Sequence, residues 1–252
     1  MVMGPSEGRA DKMKYSIITT VHNRRECLKI FMGGIENLII PEGCGVEFII
    51  VDNGSTDSPR EEFDKIKIRR AVKYLEMPAP TENAVAPTKY AVENSTSEIL
   101  LMYSPEILIP EDIIVKDIEN REKSGADCMV LYVPVYVFNR QATIEYSPSR
   151  PFKEYFSGID LSQQKSVKRL MAETWKDLTA GSVARRTWEN IGGYDERFKK
   201  WGWFAIDFIQ RAEKSGVKII HAGFVIHFDH DRNENPKAHQ EYISILEERD
   251  GK

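Results

Sequence analysis

Tyr15-Ser16-Ile17-Ile18-Thr19-Thr20 is a short, β-branched apolar run, and Val46-Glu47-Phe48-Ile49-Ile50-Val51 is a second. Each has the length and composition of a strand buried on both faces. Between them, after Val21-His22-Asn23-Arg24, residues Cys27, Leu28, Phe31, Met32, Ile35, Leu38 and Ile39 fall on one side at helical spacing. Pro41 and Gly43-Cys44-Gly45 break that helix. Val72–Glu76 and Ile99-Leu100-Leu101-Met102-Tyr103 read as a third and a fourth strand. This order predicts an α/β fold with a mostly parallel central sheet flanked by helices. Ligands of such sheets gather at the carboxyl ends of the strands. Here those ends carry Thr20–Arg24, Asp52–Asp57 and Tyr103–Glu106, all polar, and all expected to face one crevice.

The second half is less regular. Cys128–Phe138 reads as one long strand-like run, and Asn139–Ser166 is polar, aromatic-rich and turn-rich. Arg185–Ile191 and Ala205–Ser215 read as helices, the latter stopped by Gly216. Val217–His221 and Phe224–His227 read as short strands, and Pro236–Glu248 as a charged terminal helix. No internal repeat is present. Residues 1–13 are expected to be a flexible polar tail and 14–252 a single domain of two halves, 14–125 and 126–252.

Composition narrows the partners. Of 252 residues, 35 are Lys or Arg and 39 are Asp or Glu, for a net charge of -4 with no long run of one sign. That balance argues against a nucleic-acid binder living on phosphate neutralisation. Three widely spaced cysteines, Cys27, Cys44 and Cys128, form no CxxC pair, the usage of a reducing compartment. No apolar run approaches the roughly 20 residues of a membrane span, and the polar start lacks a signal peptide's apolar stretch. A cytoplasmic location is expected.

Val51-Asp52-Asn53-Gly54-Ser55-Thr56-Asp57 at a strand end can hydrogen-bond a nucleobase or ribose, although a solvated Asx turn explains the same letters. Strand one ending in Thr-Thr-Val-His-Asn-Arg, with that cluster about 30 residues on, resembles the start of family 2 glycosyltransferases of the GT-A fold. The resemblance continues through Asn94–Glu106, the place of the family's metal-binding acidic motif, and through Ile109-Pro110-Glu111-Asp112. Gly181–Trp188 and Ile191-Gly192-Gly193-Tyr194-Asp195-Glu196-Arg197-Phe198 are similar to its acceptor-side signature. It spans about Tyr15 to His230.

The resemblance implies a nucleotide-sugar-binding domain of GT-A type that moves a sugar from a nucleoside-diphosphate sugar, a UDP-sugar foremost, to an acceptor hydroxyl. Thr20, His22, Asn23, Asp52, Asn53 and Ser104 fall at nucleotide-binding positions, with His22 where Tyr is commoner. The negative charge of the departing diphosphate calls for a divalent cation or basic groups. Mn²⁺ or Mg²⁺ takes oxygen ligands, often one or two protein carboxylates with phosphates completing the shell. Glu106 in Ser104-Pro105-Glu106 and a late histidine, His227, with Asp229 and His230 beside it, are the implied metal ligands. Trp201 and Trp203 stack on a sugar or pack in the core, and the basic 185–200 stretch receives an anionic acceptor or is a solvated surface.

One departure is prominent. Inverting members carry a Glu-Asp pair at the start of a late helix, one carboxylate removing the acceptor proton. Phe204-Ala205 stand there, in Trp201-Gly202-Trp203-Phe204-Ala205-Ile206-Asp207-Phe208-Ile209-Gln210-Arg211. Three explanations follow: Asp207 is the proton acceptor, although with Arg211 it also forms a plain i,i+4 ion pair; the enzyme retains configuration and the departing phosphate takes the proton; or the chain is a non-catalytic nucleotide-sugar-binding or scaffold homologue. A nucleotidyltransferase would want a Gly-rich phosphate loop after strand one, and Val21-His22-Asn23-Arg24 has no glycine.

Overall fold

A computed structural model of the chain describes residues 13–133, 135–138, 167–169, 180–228 and 237–250. Strand β1 (Lys14–Val21) leads through one turn of 3-10 helix (Arg25–Cys27) into α1 (Leu28–Glu36), then β2 (Gly45–Asp52) and α2 (Pro59–Lys65). Next come β3 (Val72–Glu76), α3 (Val85–Glu93), β4 (Ile99–Tyr103), β5 (Ile107–Leu108) and α4 (Ile113–Ser124). The remainder is β6 (Met129–Leu131), β7 (Val135–Phe138), β8 (Val167–Arg169), β9 (Ala180–Ala184), α5 (Arg185–Ile191), α6 (Phe204–Lys214), β10 (Ile219–His221), β11 (Val225–Phe228) and α7 (Ala238–Asp250).

Among the described residues a seven-stranded sheet runs in the order β10-β6-β9-β4-β1-β2-β3. β1 pairs in parallel with both β2 and β4, β2 with β3, and β10 with β6; β9 alone runs antiparallel, between β4 and β6. The mostly parallel sheet is as the sequence predicts. Alternate residues of each strand feed two cores, the usual outcome of a period of two. Ile17, Ile50 and Leu101 pack with α1 and α4 on one face. Ile18, Ile49, Leu100 and Met102 pack with α3, α5, α6 and α7 on the other.

Two details depart from the sequence reading, and a third lies where it predicted nothing. Helix α1 ends at Glu36, because the chain turns away to donate the Ile39 N–H to the Glu111 carbonyl at 2.8 Å; Ile39 is half exposed and outside the core. The Cys128–Phe138 run is two strands in two sheets: β6 joins the main sheet, and β7 joins a four-stranded sheet of order β5-β11-β7-β8. Third, α4 buries charge. Asp117 and Arg121 are fully enclosed, with Arg121 Nε donating to Asp117 Oδ2 at 2.6 Å and Tyr15 Oη to the same oxygen at 2.9 Å. Arg121 Nη1 donates to the Ala126 and Cys128 carbonyls and Nη2 to Ser182 Oγ, so the ion pair ties α4 to β1 and β9 with its polar atoms satisfied.

Among the described residues no helix is long and apolar enough to cross a membrane. Cys27, Cys44 and Cys128 are all free thiols.

Candidate functional site

Since β1, β2 and β4 are parallel neighbours, their carboxyl ends share one edge of the sheet. The segments following β1 and β2 are laced together there. Asn53 N–H donates to the Val21 carbonyl at 2.8 Å, and the His22 ring meets the Asn53 carbonyl through Nδ1 at 2.9 Å. A carbonyl only accepts, so Nδ1 carries the proton, and Nε2 is left to accept from Asn23 Nδ2 at 3.4 Å. Asn23 adopts a positive φ of 52°, which turns its side chain onto the second loop; Asn23 Oδ1 accepts from Thr56 N at 2.7 Å, and Asn23 N–H donates to Ser55 Oγ at 3.0 Å.

Asp52 is the group this lattice holds out as an acceptor. Oδ1 accepts the Ser55 N–H at 2.9 Å and Oδ2 accepts the Tyr74 hydroxyl at 3.0 Å. Burial and the neighbouring Asp52 carboxylate push the Tyr74 hydroxyl far above the ordinary tyrosine range, so it stays a donor. Each Asp52 oxygen retains further lone-pair capacity for a ligand N–H or hydroxyl. Gly54 makes this turn feasible twice over: φ is +71°, and a Cβ there would lie 2.3 Å from Pro80 Cγ.

Asn53 has a different place from Asp52. Its side-chain amide donates to the Thr81 carbonyl at 2.7 Å and the Asn83 carbonyl at 3.3 Å, and accepts the Thr81 N–H at 2.9 Å. Asn83 in turn donates to the Phe198 carbonyl at 2.8 Å and accepts the Val85 N–H at 3.0 Å. Two buried asparagines therefore clip the end of β2 to the loop before α3, and that loop to the 198–200 segment. Asn83 and Tyr74 escape the sequence reading; the one visible hint is an Asn between a proline-rich turn and a helix. Thr20 lies half-buried at the end of β1, opposite Val51. The Ser104 carbonyl accepts the Ile107 N–H at 3.0 Å, the turn that starts β5.

The two metal-ligand candidates, far apart in sequence, meet. β11 pairs antiparallel with β5, setting His227 opposite Ile107, and Phe228 N–H donates to the Glu106 carbonyl at 3.0 Å. His227 Nε2 then lies 3.6 Å from Glu106 Oε1, both side chains about one-seventh exposed (14% and 13%). Neighbouring ligands of an octahedral Mg²⁺ lie about 2.9 Å apart, so this oxygen and nitrogen would have to close by roughly 0.7 Å to share a cation whose other ligands are phosphate and water. Among the described residues no group of three or more His, Cys, Asp or Glu could hold a metal without such help. Asp229, His230 and the Asn139–Ser166 segment lie outside the described residues.

The start of α6 is closed. Phe204 and Ala205 are 7% and 8% exposed, the Phe204 ring lying 5.0 Å from Tyr194 and 6.2 Å from Trp201. Asp207 is 1% exposed, with both oxygens ion-paired: Oδ2 to Arg211 Nε at 2.8 Å and Oδ1 to Arg249 Nη1 at 2.6 Å. Arg211 continues to the Ile191 and Gly193 carbonyls, and Arg249 to Asp195. The geometry is that of a pin between α5, α6 and α7. The two tryptophans separate as well: Trp203 stacks on Tyr242 of α7 at 4.8 Å, whereas Trp201 is 39% exposed. Of the basic stretch, Arg185 reaches back to the Ser97 and Val92 carbonyls and Arg197 pairs with Asp195.

No family model matches the chain, and no curated protein matches it in sequence. Solved structures do. Residues 1–349 of S. aureus TarS match with a TM-score of 0.60 and 12% identity, over 86% of this chain and 60% of that one. The same fragment in complex with UDP-GlcNAc gives 0.58 and 12%, over 88% and 60%. Its complex with UDP gives 0.60 and 11%, over 95% and 72%. This chain thus spans about 60% of the TarS fragment's length. At such identity the likeness establishes the fold, which is the GT-A-type α/β architecture.

Proposed function

We propose that the chain transfers a sugar from a nucleoside-diphosphate sugar, with UDP as the carrier, to an acceptor hydroxyl in the reducing cytoplasm. The observation that carries this reading is the meeting of Glu106 and His227 on the segments after β4 and in β11, with Asp52, His22 and Asn23 at the neighbouring strand ends. The TarS fragment of the same fold has been crystallised with UDP and with UDP-GlcNAc, which supports a uridine nucleotide here too.

In this reading Asp52 accepts from the nucleoside, with Thr20, His22, Asn23 and Ser104 completing the pocket wall. Asn53 acts through position, fixing the loop before α3. Glu106 and His227 hold Mn²⁺ or Mg²⁺, which when bound neutralises charge on the departing diphosphate. The bond from the anomeric carbon to the diphosphate oxygen breaks, and the bond from that carbon to the acceptor oxygen forms. The acceptor proton goes to the departing phosphate oxygen, since Phe204 and Ala205 cannot take it and Asp207 is enclosed by two arginines. The same closure favours a second reading, a nucleotide-sugar-binding protein without turnover.

A thermal-shift series with UDP, GDP, dTDP and their sugars, with and without Mn²⁺, tests the donor site. At about 100 times its dissociation constant a ligand adds roughly 2.7 kcal/mol, about 5–10 °C for a chain of this size. A rise for UDP that needs Mn²⁺ and disappears in Glu106→Gln is expected. A flat response to every nucleotide would refute the donor site; binding without release of UDP from any UDP-sugar would select the second reading.

A further inference from the structure

On the far side of the Asn53–Asn83 clip from the end of β2 lies a cleft of about 690 Å³, between α3 with its preceding loop and residues 196–200. That size is within the roughly 300–1,000 Å³ of small-molecule sites. Its lining holds three cations, Lys89, Lys199 and Lys200, against three anions, Glu82, Glu93 and Glu196. Two ion pairs, Lys89 with Glu196 and Lys200 with Glu82, span the two walls. All four side chains are at least about a third exposed, so these bridges are weak and exchange readily for a ligand. Half-buried Tyr90 adds aromatic surface between the charges, while the Phe198 ring, 1% exposed, is turned into the core against Tyr242.

We propose that this cleft binds an uncharged saccharide and that, on the transfer reading above, the saccharide belongs to the acceptor. A polyanion entering here meets three carboxylates, and a polycation meets three ammonium groups. Sugar hydroxyls both donate and accept, so they pair with carboxylates and ammonium groups alike, while the C–H face of a ring lies on an aromatic side chain. Asn83, which lines the cleft, ties it to the end of β2, touching Asn53 on one side and the Phe198 and Lys200 carbonyls on the other. A saccharide seated against residues 196–200 therefore lies next to the expected donor.

Calorimetric titration of the full chain with neutral trisaccharides of glucose, galactose, mannose and N-acetylglucosamine tests this, with trilysine and inorganic triphosphate as charged probes. At least one trisaccharide is expected to bind more tightly than either charged probe. Tyr90→Ala should weaken that binding up to about tenfold and leave the affinity for UDP unchanged. The surface variant Glu82→Gln/Glu93→Gln, which does not touch the core, should weaken it too. Binding of UDP but of no trisaccharide, preference for a charged probe, or indifference to both variants would overturn the proposal. Trisaccharide binding that follows these variants in a protein that binds no UDP would uphold the cleft and sink the donor site.

Discussion

At the end of β2, Asp52 and Asn53 spend their polar atoms on neighbouring loops and on Tyr74, and Asp52 still has acceptor capacity to offer a ligand. At the start of α6, Phe204, Ala205 and Asp207 are all buried, the first two in an aromatic cluster and the third between two arginines. Both regions are termini of regular elements, where loose backbone groups and accessible side chains ordinarily make sites. Exposure does not separate them, since Asp52 and Asn53 are 8% and 2% exposed. The first holds its carboxylate with neutral donors, the Ser55 N–H and the Tyr74 hydroxyl, whereas the second locks Asp207 between two guanidinium groups and is filled in by aromatic packing.

The sharpest way to break this comparison is to put carboxylates at the start of α6. Phe204→Glu with Ala205→Asp removes an enclosed ring, a loss of roughly 3–5 kcal/mol for Phe truncation alone, and adds two poorly solvated charges. Urea denaturation should show a loss of at least about 4 kcal/mol, with no gain in UDP release from UDP-sugars. A variant of native stability would mean that the aromatic cluster tolerates a polar interior and that the position is open after all.

The next largest effect separates Asp207 from Asp52. Asp207→Ala leaves Arg211 and Arg249 without their shared carboxylate, which for a buried pair costs about 3–5 kcal/mol, here toward the lower figure because both arginines are partly exposed. The folded remainder should bind UDP as before. Asp52→Asn should do the reverse: a stability change of about 1 kcal/mol and UDP binding weakened about tenfold or more. If Asp207→Asn keeps the native melting curve yet loses all transfer, the pin is a proton acceptor and the contrast fails.

How far the letters carry is visible in the same two regions. β1, β2 and β4 are legible because apolar, β-branched runs of strand length end in polar turns, and α6 is legible from its one-sided apolar spacing. Glu106 and His227 were linked only through the family resemblance; the β5–β11 register that unites them rests on a strand of two residues, too short to leave a pattern. The splitting of Cys128–Phe138 did leave a signal, Pro134 in the middle of the run, but which sheet each half joins is decided by partners elsewhere. α4 went unread: its buried side is Ile113, Ile114, Asp117, Ile118 and Arg121, and the two charged residues among them, fully enclosed by satisfied hydrogen bonds, break up the apolar spacing. Asn53 looked like a ligand contact, and only the positions of the Thr81 and Asn83 carbonyls reveal a clip.

The smallest expected effect concerns how the filled-in region answers to acid. Hydrogen bonding to Arg197, assisted by Arg249, holds the Asp195 carboxyl well below the usual carboxylate range. A group whose folded pKa is depressed stabilises the native state fully above its unfolded value, near 3.9 for Asp, and loses that contribution as pH falls through the folded value. Asp195 therefore steepens the acid limb of stability below about pH 4 and leaves neutral pH flat. Asp195→Asn should lower the urea midpoint at pH 7 slightly and make the curve shallower between about pH 4 and pH 2. UDP binding at pH 7 should not move, because Asp195 braces α7 against the loop after α5 and does not reach the β2 end. Parallel acid limbs in wild type and variant would show that the arginines hold Asp195 no more tightly when folded than water does, and that the region is kept by its aromatic packing alone.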